Sequence, residues 1–342
     1  MTTVSNQSPA LAVDRLTKRY GDFTALDSLT ITIECGRILG LIGPNGSGKT
    51  TAIKMLVGLA RPTEGTAHIA GIDCSRDSRK IKRMVGYMPD KFGAYDNMRV
   101  TEYLDFFGAA FGIGRRKRIK RIDEVLETTN ATYMRDRYVE SLSHGMQQRI
   151  GIARTLLHDP DVLIFDEPAN GLDPQARIEM RDLLLQLAAS GKTLLVTSHI
   201  LPELSRICDQ VAILLNGKLR AFGSLPEIMK SISQKRTFEI QFSSKEAIPA
   251  AAKIGRDFAS DEADAELSES PAEAIIRLRT AKSDSEMGEL LRQLITADIA
   301  VNQFRELQAD LEDAFLSITQ LNENGVQVAD TPSTEKPAEA TR

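Results

Sequence analysis

Hydrophobic residues fall into two alternating patterns between residue 11 and about residue 222. Short runs rich in β-branched residues predict buried strands, and longer segments with apolar residues every three or four positions predict helices. Chains that alternate in this way form α/β folds, in which crossover helices join parallel strands. The clearest strands are predicted over Arg37–Ile42, Asp161–Asp166, Thr193–Thr197 and Gln210–Leu215, and Asn216-Gly217 then predicts a hairpin turn.

A different pattern interrupts this alternation at residues 91–144. Aromatic residues recur there at helical spacing, including Tyr103, Phe107 and Phe111, and aliphatic residues continue the pattern from Ile122. The segment is therefore predicted to be a mostly helical insertion between two parts of the α/β core.

After Ser224 the pattern predicts a second, smaller α/β domain. Its strands are predicted over Thr237–Phe242, Ala274–Leu278 and Ile299–Phe304, and its helices over Lys245–Lys253, Ser285–Ile295 and Leu307–Leu321. An acid-rich segment between the first two strands is expected to be a solvated loop. Its acidic residues are Asp257, Asp261, Glu262, Asp264, Glu266 and Glu269. Residues from Asn322 onward are poor in large apolar side chains and are expected to be disordered.

Composition excludes several classes of protein. Apolar residues make up 42% of the chain, and 43 basic against 47 acidic residues give a net charge of −4, which argues against wholesale binding of polyanions. No apolar run approaches the ~18–20 residues of a membrane span. Cys35, Cys74 and Cys208 are widely spaced, which favours reduced thiols over disulfides or a zinc site. With a polar start at Met1–Pro9, these features predict a cytosolic protein.

The strongest motif is a phosphate loop between a predicted strand and a predicted helix. Successive backbone N–H groups in such a glycine-rich loop can turn inward around a phosphate, and the helix presents its positive end. The lysine can bridge β- and γ-phosphates, and the hydroxyl that follows can ligate Mg²⁺. The motif consists of Gly43, Pro44, Asn45, Gly46, Ser47, Gly48, Lys49 and Thr50.

Two carboxylates follow a later buried strand. Asp166 ends the apolar run from Val162, which would bring it to the phosphate end of the sheet as a ligand of Mg²⁺. Glu167 is placed to orient or deprotonate an attacking water molecule.

A third motif, Leu142–Arg149, directly precedes a helical pattern. Ser143 is a suitable N-cap for that helix, and a helix N-terminus attracts phosphate.

Together and in this order, the motifs resemble those of the ATP-binding subunits of ABC transporters, over about residues 11–222. The L-S-x-G stretch at 142–145 separates this family from other phosphate-loop proteins. The resemblance implies an α/β fold with a P-loop NTPase core of the ABC type and a helical insertion. It also implies ATP and Mg²⁺ as cofactors, with Thr51 joining the phosphate loop. The predicted organisation is a flexible tail at 1–10, an ATP-binding domain at 11–224 with a helical subdomain at about 91–144, an accessory α/β domain at 225–321 and a disordered tail at 322–342.

The resemblance further implies that two copies share each nucleotide in a head-to-tail dimer. Ser143 and the Gly145 backbone would contact the γ-phosphate held by the other copy, and Asp173 would lie in the loop that crosses this interface. His199 would contact the γ-phosphate and hold the attacking water, and Tyr20 would stack on adenine.

Three residues in two motifs depart from those usual in the family. Asp90 stands where the family usually has Gln or Glu, and by the resemblance it would reach Mg²⁺ and the water while sensing the membrane partner. Its side chain is shorter than that of Glu and carries a charge that Gln lacks, so its contact with Mg²⁺ is either water-bridged or lost, and this affects coupling to the membrane partner more than ATP binding. In the signature, His144 replaces the first glycine and Met146 the usual Gln. Ser143 and Gly145, the two residues that contact phosphate, are kept, so the site is expected to be functional and not degenerate.

An integral membrane permease is the implied partner, which would hold the protein at the inner face of the cell membrane. Leu311–Leu316 resembles a stretch near the C-terminus of export-type subunits, which favours an exporter. An amphipathic helix packed on the small domain also accounts for this stretch. Transport in the import direction therefore remains an alternative. The basic run Arg115–Arg121 is interpreted first as a solvated helix start and second as a contact with lipid headgroups or the permease. No nucleic acid is expected as a partner.

Two alternatives to a transport ATPase are kept. One is an ABC-type ATPase that acts on ribosomes or DNA, and the other is a regulatory subunit with low ATP turnover.

Overall fold

The computed structural model describes residues 8–91, 93, 97–199, 204, 206–232, 236–262 and 265–307. The expected tail at 322–342, most of the expected tail at 1–10 and all but the first residue of the predicted helix Leu307–Leu321 lie outside these ranges. No helix within them combines the length and the hydropathy that crossing a membrane requires.

A ten-stranded sheet forms the framework of the first part of the chain, in the strand order β5-β4-β1-β2-β10-β9-β3-β8-β7-β6. The strands β3, β6, β7, β8 and β9 pair in parallel, and the strands predicted from apolar runs match within one or two residues. The strands are β1 (Leu11–Tyr20), β2 (Phe23–Ile33), β3 (Ile38–Ile42), β4 (Glu64–Ile69), β5 (Ile72–Asp73), β6 (Val85–Met88), β7 (Val162–Phe165), β8 (Thr193–Ser198), β9 (Gln210–Leu215) and β10 (Lys218–Gly223).

The predicted parallel strands with crossover helices make up only part of this sheet. The strands β1, β2, β4 and β5 pair antiparallel with one another. The turn Gly21-Asp22 joins β1 to β2, and a connection this short can join only antiparallel neighbours. The hairpin predicted at Asn216-Gly217 is confirmed, since β9 and β10 pair antiparallel and both turn residues have positive φ, 51° and 77°.

Helices cover both faces of the sheet. Alternate residues of β3 illustrate this, because Ile38 and Ile42 belong to one hydrophobic cluster and Leu39 and Leu41 to the other. The helical pattern predicted around Tyr103 is confirmed as α3. The helices are α1 (Lys49–Leu56), α2 (Ser78–Met84), α3 (Val100–Ala110), α4 (Arg115–Thr128), α5 (His144–Leu156), α6 (Pro174–Ala189) and α7 (Leu225–Ile232).

The basic run begins α4, and its residues differ in their surroundings. Arg118 is largely covered and forms hydrogen bonds of 2.6 and 3.1 Å with Asp105 of α3. Arg121 donates to the carbonyl of Leu156, at the end of α5. At these two positions the positive charge therefore fastens α4 to its neighbours.

A second sheet follows, with the strand order β12-β13-β11-β14. Its chain order β-α-β-β-α-β gives the split βαβ arrangement, with a separate hydrophobic core. Its elements are β11 (Arg236–Phe242), α8 (Ile248–Phe258), β12 (Glu266–Ser270), β13 (Ile275–Thr280), α9 (Asp284–Thr296) and β14 (Val301–Leu307).

The acid-rich segment is a loop only at its centre, where Asp261 and Glu262 lie between α8 and β12, and Asp264 lies outside the described residues. Asp257 lies in α8, and Glu266 and Glu269 lie in β12. The acidic strand is stabilised by basic neighbours, since Glu266 lies opposite Arg279 of β13 and Glu269 forms an ion pair with Arg256.

Candidate functional site

The phosphate loop connects β3 to α1 through two glycines that the backbone requires. Gly46 and Gly48 have φ of 81° and 105°, in the left-handed region that favours glycine. A Cβ atom on Gly48 would also lie 2.7 Å from the carbonyl oxygen of Ala25. The loop therefore passes too close to β2 for a side chain at this position, and α1 starts directly after it.

Lys49 is held inside this loop. Its side chain is 6% exposed, and its Nζ donates hydrogen bonds to the carbonyls of Gly43 at 2.6 Å and Pro44 at 3.3 Å. The same nitrogen lies 3.6 Å from Oε1 of Glu167. The hydroxyl of Ser47 is buried and has no partner among the described residues. A buried ammonium and an unpaired hydroxyl in a glycine-rich loop fit a bound phosphate group.

Thr50 and Asp166 meet at the carboxyl ends of β3 and β7, as the sequence predicts. The Thr50 hydroxyl donates to Oδ2 of Asp166 at 3.3 Å, and the Thr197 hydroxyl donates to Oδ1 at 2.8 Å. Hydroxyl and carboxylate oxygens suit Mg²⁺, which usually takes one or two protein ligands together with substrate phosphates and water. No cluster of three or more His, Cys, Asp and Glu residues in the described ranges offers a complete protein cage.

Burial raises the pKa of Asp166 above its ordinary value. The hydrogen bonds from Thr197 and Thr50 oppose this shift, and the negative charges of Glu167 and Asp90 add to it. The local field is therefore negative, and a bound cation would offset it.

Glu167 occupies a strained position beside His199. Its φ of 54° is left-handed, a conformation that non-glycine residues adopt mainly where the surroundings enforce it. Its Oε2 accepts a hydrogen bond of 2.8 Å from Nδ1 of His199, and its side chain is 12% exposed. The structure thus brings Lys49, Glu167 and His199 into one cluster.

Thr197 belongs to this cluster, although sequence reasoning missed it. Besides binding Asp166, its hydroxyl accepts the backbone N–H of Glu167 at 2.8 Å. The available signal was a polar residue at the carboxyl end of a buried strand. Only the pairing of β7 with β8 shows which carboxylate that residue meets.

Replacing Thr197 by Val is expected to destabilise the fold and slow any reaction at Glu167. The change leaves the buried N–H of Glu167 without its acceptor and Oδ1 of Asp166 without its donor, which costs about 1–3 kcal/mol in the free energy of unfolding. Thermal unfolding followed by circular dichroism checks this. Thr197→Ser keeps the hydroxyl and should remain within about 1 kcal/mol of the parent, the cost of one buried methyl group. Equal stability of the Val variant and the parent would contradict the assigned role.

Asp90 and His144 both form hydrogen bonds with Asn170. The sequence did not predict these two contacts. The side-chain amide of Asn170 donates to Oδ1 of Asp90 at 3.3 Å. The backbone carbonyl of Asn170 accepts from Nε2 of His144 at 2.8 Å, so that nitrogen carries a proton.

Ser143, Gly145 and Asp173 form a second group. They line a cavity of about 400 Å³ to which no residue of the phosphate loop contributes. Ser143 and Asp173 are the N-caps of α5 and α6, accepting backbone N–H groups at 3.5 and 2.8 Å. The predicted site residues are therefore divided between two places in one chain.

Tyr20 and Thr51 complete the predicted set. Tyr20 ends β1 with 52% of its surface exposed, and Nζ of Lys18 lies 4.9 Å from its ring centroid. Because the ring is exposed at the end of β1, it can stack on a flat ligand. Thr51 is half-buried in the first turn of α1.

Comparison with known proteins gives a consistent result. The family model described as "ABC transporter" matches residues 26–170. The "Nod factor export ATP-binding protein I" of Ralstonia nicotianae is 39% identical over 222 residues, which are 65% of this chain and 69% of that protein. The "Probable multidrug ABC transporter ATP-binding protein YbhF" of Escherichia coli is 37% identical over 218 residues, 64% of this chain but only 37% of its own length.

Solved structures match the same part of the chain. A structure of the ATP-binding subunit of an ABC transporter is 30% identical, has a TM-score of 0.59 and covers 65% of this chain and 92% of that one. The dimeric structure of MJ0796, a bacterial ABC transporter cassette, is 25% identical, has a TM-score of 0.58 and covers 63% of this chain and 98% of that one.

Proposed function

The chain belongs to the family of ABC transporter ATP-binding proteins, and from this premise we propose that two copies of it hydrolyse ATP to drive a separate membrane permease in the export direction. The observation that carries the proposal is the cluster at the carboxyl ends of β3, β7 and β8. There a phosphate loop, a buried lysine and a glutamate paired with a histidine lie together.

Binding of ATP would use the loop and its lysine. The backbone N–H groups of residues 45–51 would hold the β-phosphate, and Lys49 would exchange its carbonyl contacts for phosphate oxygens. Thr50 and Asp166 would hold Mg²⁺, which when bound offsets charge on the transferring phosphoryl group. The exposed ring of Tyr20 would stack on the adenine, a contact worth about 1–3 kcal/mol.

Hydrolysis would depend on Glu167. Its carboxylate would orient the attacking water and accept its proton, while Lys49 offsets charge that develops on the γ-phosphate. His199 holds Glu167 through Nδ1, and its Nε2 would contact the phosphate when that nitrogen also carries a hydrogen. The hydroxyl of Thr197 would hold Glu167 in place by accepting its backbone N–H.

The separation of the two groups of site residues supports a shared pocket. Ser143, Gly145 and Asp173 line a cavity without the phosphate loop. A second copy in head-to-tail orientation would bring the N-terminus of its α5 to the γ-phosphate. The solved dimeric cassette MJ0796 shows that a similar chain assembles with itself.

The permease and the direction of transport rest on the relatives. Two of them are named for Nod factor export and multidrug transport. A permease partner would place this protein at the inner face of the cell membrane and would supply the contacts with the cargo.

Replacing Ser143 by Asp is the experiment that tests this function. Asp is as good an N-cap as Ser, so α5 should keep its start and the chain its thermal stability. The added charge would face the γ-phosphate of the other copy, and we expect ATP turnover to fall at least about 100-fold, the effect of several kcal/mol of like-charge repulsion. Equilibrium binding of ATP to the single chain should be unchanged.

Ser143→Ala is the matched control, because it removes the cap without adding charge and should cost only about 1 kcal/mol of stability. Turnover by the Asp variant at the parent's rate would contradict the shared pocket. Loss of ATP binding by the single chain would contradict it equally.

A further inference from the structure

Two of the three positions at which the chain departs from the family's motifs meet at one residue. Asp90 follows β6 and His144 begins α5, yet both form a hydrogen bond with Asn170. Asp90 accepts from its side-chain amide at 3.3 Å, and His144 donates to its backbone carbonyl at 2.8 Å. The departures at Asp90 and His144 therefore belong to one group of contacts around Asn170.

The contact with His144 does not depend on the charge of the imidazole. A carbonyl oxygen only accepts, so Nε2 must carry a hydrogen, and it does so both in the Nε2–H tautomer and in the protonated ring. Glycine, the family's usual residue here, has no side chain that could form this bond.

Gly171 allows the loop to lie against the imidazole. Its φ of +70° is left-handed, and a Cβ atom there would lie 3.4 Å from two ring atoms of His144. A larger residue would be strained and tightly packed against the ring.

Asn170 stands between the catalytic and the interfacial groups. Its backbone N–H donates to the carbonyl of Glu167 at 3.1 Å, and the loop that it begins ends at Asp173, the N-cap of α6. The hydrogen bond from its side-chain amide to Asp90 is 3.3 Å long, and with the 2.8 Å bond from His144 to its carbonyl it holds Asn170 from two sides. Fixing Asn170 on both sides therefore fixes the loop 170–173.

We propose that Asp90 and His144 form a clamp on Asn170 and are positioning residues for the closure of two copies around ATP, an inference that rests on the proposed function. In this role Asp90 acts on the loop 170–173 through its hydrogen bond with Asn170. The clamp also joins the end of β6, the start of α5 and the loop, so that these three segments move together.

The Asp90 arm is tested with the variants Asp90→Ala and Asn170→Ala and with their combination, in the full chain. Each single change removes the same bond, so each should lower kcat roughly 3- to 10-fold and the double variant should be no slower than either. The affinity of Asn170→Ala for ATP should stay unchanged, because Asn170 carries no charge and lies outside the phosphate loop. If the effects of the two single changes on kcat multiply in the double variant, the proposal is overturned.

The His144 arm is tested with His144→Ala and His144→Gln. The amide nitrogen of Gln can replace Nε2, so Gln should restore at least half of the kcat that Ala loses. Hydrogen–deuterium exchange of nucleotide-free protein should be roughly threefold faster over residues 171–173 in the Ala variant, because a local contact is lost.

Exchange at the parent's rate in His144→Ala would overturn the clamp. This measurement needs no turnover, so it decides about the clamp even if the parent protein fails to hydrolyse ATP, a result that would count against the proposed function alone.

Discussion

Replacing Glu167 by Gln should lower ATP turnover by about 10²–10⁴-fold, the usual contribution of a general base. The amide oxygen can still accept the hydrogen bond from His199, so the side chain should keep its place. It can no longer take a proton from water. ATP binding should persist, because the phosphate loop and Lys49 are untouched. Single-turnover kinetics with labelled ATP measure the two effects separately.

The matched control for this variant is Glu127→Gln. Glu127 is an exposed residue of α4, and the same change there should leave turnover within a factor of two. If Glu167→Gln hydrolyses ATP at the parent's rate, then Glu167 is not the base.

Replacing Lys49 by Met should abolish most ATP binding. The ammonium is buried, and removing one partner of a buried charged contact costs about 2–5 kcal/mol, or roughly 30- to 5000-fold in affinity. Met fills a similar volume, so the loss should appear as a higher Kd and not as unfolding. Isothermal titration with ATP and Mg²⁺ measures the Kd.

Lys54→Met is the control, since Lys54 lies in the same helix with its side chain exposed. It removes the same charge outside the loop and should leave the Kd within about threefold. An affinity of Lys49→Met for ATP equal to that of the parent would exclude Lys49 from the phosphate contact.

Much of the framework follows from the sequence, for identifiable reasons. The strands β3, β7, β8 and β9 are runs of apolar residues with clear ends, so their bounds were predictable within one or two positions. The hairpin at Asn216-Gly217 follows from the positive φ that both residues tolerate.

The antiparallel strands and β12 were not predictable in the same way. Gly21-Asp22 is too short to identify a turn with certainty from residue types alone. The acidic composition of β12 is not typical of a strand, so composition alone does not predict it. The strand is stabilised by Arg256 of α8 and Arg279 of β13, which lie outside it.

The site shows the same division between local and long-range information. Lys49, Asp166 and Glu167 stand in motifs whose residue types and spacing predict their chemistry. Thr197 acts through the pairing of two strands, and Asn170 acts partly through its backbone carbonyl. A carbonyl has no identity in the sequence, so no reading of residue types could have assigned that contact.

The central claim is that one nucleotide is enclosed by two copies of the chain. Sedimentation velocity of the Glu167→Gln variant tests it most directly, because blocked turnover should hold the closed state. With saturating ATP and Mg²⁺ the variant should sediment as a dimer, and with ADP, or with Ser143→Asp added, it should sediment as a monomer. A variant that binds ATP and nevertheless remains monomeric at saturation would contradict the account.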